Sequence, residues 1–140
     1  MARDEKIDLL RTVPLFAGLS NRELQRIGEL ADEVDLPADR VLMRQGDYGA
    51  EMMVIVDGNA RIERDGAVIA DRGDGEVLGE IALLDGGPRT ATVTLTRDSR
   101  LLVLGRREFQ TAMDELPEVR LRVLEAVAHR LRTLDPGSVH

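Results

Sequence analysis

From Glu33 to Arg106 the chain is cut into runs of about five residues by Gly46-Asp47, Asp57-Gly58-Asn59, Asp65-Gly66 and Gly73-Asp74-Gly75, a spacing that predicts short strands. Regular short strands with turns between them fold as a β-sandwich or roll. Asp57-Gly58 and Asp65-Gly66 are expected to form hairpin turns, because aspartate and glycine tolerate the positive φ angles such turns need. Thr90-Ala91-Thr92-Val93-Thr94-Leu95 alternates in polarity and predicts a half-buried strand.

Helical patterns flank this centre. Ile7, Leu9 and Leu10 make a short apolar edge, which Val13-Pro14-Leu15-Phe16 breaks. Ser20-Asn21-Arg22-Glu23 has the form of a capping box, opening a helix to about Asp32 with Leu24, Ile27 and Leu30 on its buried face. The last zone starts near Arg106, pauses at Leu116-Pro117 and resumes as a helix to about Leu134, with Asp135-Pro136-Gly137 as its stop. Val119, Val123, Val127, Leu131 and Leu134, with Leu124 and Ala128 beside them, form one apolar stripe opposite Glu118, Arg122, Glu125, His129 and Arg132. That stripe suits packing on the chain's own roll, on a twin across a dimer axis, or on another protein. The division expected is one domain over residues 1–134, with a helical lead (1–32), a β-roll (33–105) and C-terminal helices (106–134), then a tail (135–140).

Composition excludes several classes of function. A length of 140 residues suits one core, and 26 acidic against 19 basic side chains leave a net charge of -7, which argues against a nucleic-acid partner. The chain has no cysteine and only two histidines, His129 and His140, so no imidazole or thiolate metal cluster is expected. Ser20, Ser99 and Ser138 lack a nucleophile elbow, and Gly73, Gly75 and Gly79 lack the spacing of a dinucleotide fingerprint, so no catalytic apparatus is expected. The charged first ten residues do not read as a secretory signal, and apolar runs such as Met52 to Val56 are too short to span a bilayer. A cytoplasmic protein without membrane insertion is the expectation.

The segment from Gly79 to Val93 reads Gly-Glu-Ile-Ala-Leu-Leu-Asp-Gly-Gly-Pro-Arg-Thr-Ala-Thr-Val and carries the chemistry. Gly79 permits close backbone approach or positive φ, and Glu80 to Leu84 suffice for one helical turn whose first N–H groups attract an anion. Asp85-Gly86-Gly87-Pro88 turns the chain so that Arg89 can close on the same anion with a planar, always-charged fork. A carboxylate at Glu80 would be repelled there unless it faced a donor, and a ribose 2′-hydroxyl is one. Ala91 leaves room for a ligand and offers a further N–H.

This segment resembles the phosphate-binding cassette of cyclic nucleotide-binding domains, in which the acid holds the ribose and the arginine the cyclic phosphate; Glu80 and Arg89 are the matching positions. The resemblance covers roughly Val13 to Leu134, including Val13 to Leu24 as the entry and Arg44-Gln45-Gly46-Asp47 through Gly58 in the roll. Met52 and Met53 stand where an aromatic is common, and Leu78 replaces a frequent phenylalanine. The family implies a mainly β jelly roll (double-stranded β-helix) with flanking N- and C-terminal helices. It implies a cyclic AMP or cyclic GMP ligand and no cofactor, with Gly79, Glu80, Ile81, Ala82, Arg89, Thr90 and Ala91 as the binding residues. It also implies a movable C-terminal lid, for which Arg130 and Leu134 are the candidates. A threonine at the Thr90 position contacts guanine in cyclic GMP-dependent kinases but also occurs in domains favouring cyclic AMP, the ligand preferred here. With aromatics at 2%, aliphatic side chains must cover the base. The function implied is a non-catalytic ligand sensor. The alternatives are a β-roll interaction module that has lost nucleotide binding, or the sensor part of a larger enzyme, channel or transcription factor.

Overall fold

The lead folds as α1 (Arg3–Arg11), a 3-10 turn (Pro14–Phe16) and α2 (Asn21–Leu30). In this computed structural model, which describes residues 3–79, 83 and 86–134, the capping box is formed in both directions. The Glu23 N–H donates to Ser20 Oγ at 3.2 Å, and the Ser20 N–H donates to Glu23 Oε1 at 2.8 Å. Leu24 and Ile27 are buried and Leu30 is half-buried, as the spacing predicts. The helix stops two residues short of Asp32 because Ala31 is already extended and Asp32 opens a strand.

Eight strands follow among the described residues: β1 (Asp32–Leu36), β2 (Val41–Met43), β3 (Glu51–Asp57), β4 (Ala60–Arg64), β5 (Ala67–Arg72), β6 (Val77–Leu78), β7 (Thr92–Leu95) and β8 (Ser99–Gly105). They make two antiparallel four-stranded sheets, ordered β1-β8-β3-β6 and β2-β7-β4-β5. Burial explains the sequence patterns of the two. The centre of the first sheet, β3 and β8, is covered on both faces, so Met52-Met53-Val54-Ile55 is apolar without interruption: Met53 and Ile55 face the roll interior with Ala60, Leu78, Val93, Leu95 and Leu101, while Met52 and Val54 face the helices. The second sheet covers only the interior, and β7 accordingly alternates, with Val93 and Leu95 buried between half-buried threonines.

The two Asp-Gly turns behave differently. Asp65 and Gly66, at φ 54° and 82°, close the β4–β5 hairpin as expected. Asp57-Gly58 is not a hairpin: β3 and β4 belong to different sheets, and the chain crosses between them there. Gly58 is needed for closeness, since a Cβ on it would collide with the Ser99 side chain, while its N–H donates to Asp74 Oδ1 at 2.8 Å.

Two helices follow among the described residues, α3 (Arg106–Glu115) and α4 (Pro117–Leu134), broken where the Leu116-Pro117 pair predicts. Phe109 of α3 packs on Phe16 with ring centroids 6.3 Å apart, and Val119 and Val123 join the same buried cluster. Arg26 of α2 grips Glu115 fork to fork, Nε to Oε2 at 2.6 Å and Nη2 to Oε1 at 2.8 Å, and that hydrogen bond holds the Glu115 carboxyl below its ordinary pKa. The single apolar stripe expected on α4 is split. Leu124 is 68% exposed and Ala128 is exposed, so neither shares the buried face of Val119 and Val123. A step of one residue turns the helix by about 100°, enough to carry Leu124 away from the 3-10 turn on which that face rests.

Candidate functional site

β6 runs antiparallel to β3, pairing Leu78 with Met53, and so delivers Gly79 above the first residues of β3. Arg89 reaches the same place from the other side. Its backbone is fixed by two hydrogen bonds, the Arg89 N–H donating to the Asp47 carbonyl at 2.8 Å and the Gly46 N–H donating to the Arg89 carbonyl at 2.9 Å. Next to them, Tyr48 and Pro88 pair as an isolated antiparallel bridge.

Arg89 is only 9% exposed, and its Nη2 donates to the Glu51 carbonyl at 3.0 Å. Its Nη1 is buried with no hydrogen-bond partner among the described residues. Burial lowers the Arg89 pKa from the ordinary arginine value, and the charge of Glu51 opposes that change. A buried donor without an acceptor costs roughly 1–3 kcal/mol, and natural structures satisfy nearly all such groups. A negatively charged acceptor would offset that cost for this guanidinium.

Two glycines make room for it. A Cβ on Gly49 would lie 2.7 Å from Arg89 Nη2, and a Cβ on Gly79 would lie 2.6 Å from Nη1, 2.7 Å from Met43 Cε and 2.9 Å from the Glu51 carbonyl. Gly79 also sits at φ +74°, a backbone conformation open to glycine and costly for other residues. Of the remaining residues expected at the site, Ala91 is buried and Thr90 exposed, its carbonyl accepting from Arg64 Nε at 3.0 Å. Glu80, Ile81 and Ala82 lie outside the described residues. Arg130 and Leu134 are on α4, and their side chains lie outside the described part.

Gly49 and the Glu51 carbonyl are site components with no sign in the sequence. Glycine in a loop before a strand looks ordinary, and a backbone carbonyl has no residue signature; only the return of Arg89 from 38 residues later shows what they hold. Gln45 is a further unexpected support. Its side chain exchanges two hydrogen bonds with Asp65 at the hairpin tip, and its N–H donates to Thr92 Oγ1 at 3.0 Å, bracing the strand that follows Arg89.

Fold and site together define a class: an antiparallel β-roll whose loop arginine is buried between two glycines. The chain belongs to the cyclic nucleotide-binding domain family, whose profile matches residues 33–115. It is similar along nearly its whole length to the N-terminal domain of a transcriptional regulator from Streptomyces coelicolor A3(2), with a TM-score of 0.86 and 37% identity over 95% of this chain and 96% of that one. The regulatory domain of Toxoplasma gondii PKA, co-crystallised with cAMP, aligns with a TM-score of 0.74 at 31% identity, covering 79% of this chain and 44% of that one. The cGMP-dependent protein kinase isozyme 2 of Drosophila melanogaster is 34% identical over 98 residues, 68% of this chain and 9% of that protein. The chain spans between 9% and 59% of the length of the curated relatives it matches. Among the described residues no helix is long and apolar enough to cross a membrane, and no group of three or more His, Cys, Asp and Glu residues is placed to hold a metal ion.

Proposed function

We propose that residues 1–134 form one sensor domain, with the roll at 33–105 and a tail beyond 134, that binds a cyclic mononucleotide without altering it. The observation that carries this reading is the buried Arg89 Nη1, which lacks an acceptor among the described residues and which a cyclic phosphate oxygen would satisfy. The Ala82 and Ala91 N–H groups would complete the phosphate site, Glu80 would take the ribose 2′-hydroxyl, and Gly79, Ile81 and Thr90 would line the remainder. The base would lie between the roll and α4, whose distal residues, including Arg130 and Leu134, would close over it. Such closure converts affinity into movement only if α4 contacts the ligand differently in its two positions.

Cyclic AMP is the ligand we favour. Calorimetry with both nucleotides should show cyclic AMP binding at least as tightly as cyclic GMP, with the ratio unchanged in Thr90→Ala. A preference for cyclic GMP that disappears in that variant would reverse the assignment.

The sensor reading extends to a cytoplasmic setting and to an output domain, on this chain or another, that reads the position of α4. For α4 we propose a second copy of the chain as partner, ahead of an unknown protein, because Leu121 and Leu124 are 50% and 68% exposed and three residues apart, a spacing that suits a helix-to-helix seam. Sedimentation should then show a dimer that Leu124→Asp converts to monomer. A chain that sediments as a monomer from the start removes this partner.

A further inference from the structure

The chain from Gly49 to Glu51 meets two arginines, Arg89 and Arg106. Glu51 accepts from Arg89 Nη2 through its carbonyl, and Gly49 faces the same guanidinium. Between them, the Ala50 carbonyl accepts the Arg106 N–H at 2.7 Å, which anchors the first residue of α3. The Arg106 side chain then reaches to the loop that delivers Arg89. A Cβ on Gly86 would lie 2.6 Å from Arg106 Nη1 and 2.7 Å from Nη2, so the guanidinium occupies the space above that glycine, which is held at φ +66°.

We propose that Arg106 is a positioning residue: by seating the Gly86 turn against the start of α3, it sets where Arg89 meets the ligand and ties occupancy of the site to the placement of α3. The inference rests on the nucleotide-binding reading above. Its logic is geometric. The segment carrying Arg89 is fastened at its far end, by Asp47 and Gly46, to the loop before β3, and at its near end the Gly86 turn is in contact with Arg106. Leu83, buried in the helical cluster with Phe109 and Val119, attaches the same segment to the helices a few residues earlier. Any shift of Arg89 toward a phosphate must therefore be accommodated at Gly86, and the nearest group that resists or follows is Arg106. Through Phe109, three residues further along α3, that response reaches Phe16 and the face bearing Val119.

The experiment compares the wild-type chain with Arg106→Ala, using Arg107→Ala, exposed like Arg106, as the neighbouring control. Titration with cyclic AMP and cyclic GMP should give an affinity about tenfold weaker for Arg106→Ala and an unchanged one for the control. Hydrogen exchange supplies the readout that a merely structural role would not move. In the wild type, saturating nucleotide should slow exchange of the α3 amides from Phe109 to Glu115, and in Arg106→Ala that response should be lost although the site is filled. Should Arg106→Ala fail to fold, Arg106→Gln takes its place in the same comparison. A wild type that binds neither nucleotide overturns the reading of the site itself. A wild type that binds, beside an Arg106 variant with equal affinity and an intact α3 response, overturns only the role given to Arg106.

Discussion

Arg89→Ala is expected to weaken cyclic nucleotide binding at least tenfold while leaving the unliganded chain as stable as before, or more so. The loss follows from truncating one partner of a buried charged contact, which costs on the order of 2–5 kcal/mol, where each 1.4 kcal/mol is a factor of ten in affinity. The unchanged or raised stability follows from the state of the empty site. An arginine that is 9% exposed, with one amino group lacking an acceptor among the described residues, bears a desolvation cost that a bound anion would offset. Titration and thermal melting of the same preparation check both halves. Unchanged affinity would refute the phosphate assignment, and a large fall in unliganded stability would make Arg89 a structural residue.

The second large effect is expected at Gly79. Gly79→Ala should destabilise the domain by roughly 2–4 kcal/mol and abolish measurable binding, because two costs fall on one position. The backbone is at φ +74°, and the new methyl group would meet the Glu51 carbonyl at 2.9 Å, a group fixed in the sheet, as well as Arg89 and Met43. Gly75 separates the two costs. It has φ +81° and open space, with nothing within 4 Å of where a Cβ would stand, so Gly75→Ala carries backbone strain alone and should cost about 1 kcal/mol with nucleotide binding intact. Urea denaturation of both variants makes the comparison. Equal losses at the two glycines would mean that crowding around Arg89 has no energetic weight.

The roll also shows how one signal serves two outcomes. Asp57-Gly58 and Asp65-Gly66 are the same dipeptide, yet only the second closes a hairpin. Aspartate and glycine permit a chain reversal, but the partner strand is chosen by burial. Ala60 must enter the roll interior with the residues of the second sheet, and β3 must stay beside β8, so the chain crosses at Gly58. The α4 stripe teaches the complementary lesson. Helical periodicity places Val119, Val123 and Leu124 near one another, while the position of the 3-10 turn decides which of them is covered.

What the sequence determined by itself was local: the reciprocal cap at Ser20 and Glu23, the Asp65-Gly66 turn, the break at Leu116-Pro117, and the arginine set beyond a glycine turn. Each of these rests on backbone dihedral preference, hydrogen bonding within a few residues, or side-chain periodicity, and such terms act along neighbouring residues. Only the tertiary structure decided that Gly49, Glu51 and Gly79 enclose Arg89, that Arg106 meets Gly86, and that Leu124 is exposed. Those outcomes are close approaches between segments distant along the chain. They are settled by excluded volume and by which polar groups lose their water, quantities that exist only once both sheets and the helices have packed.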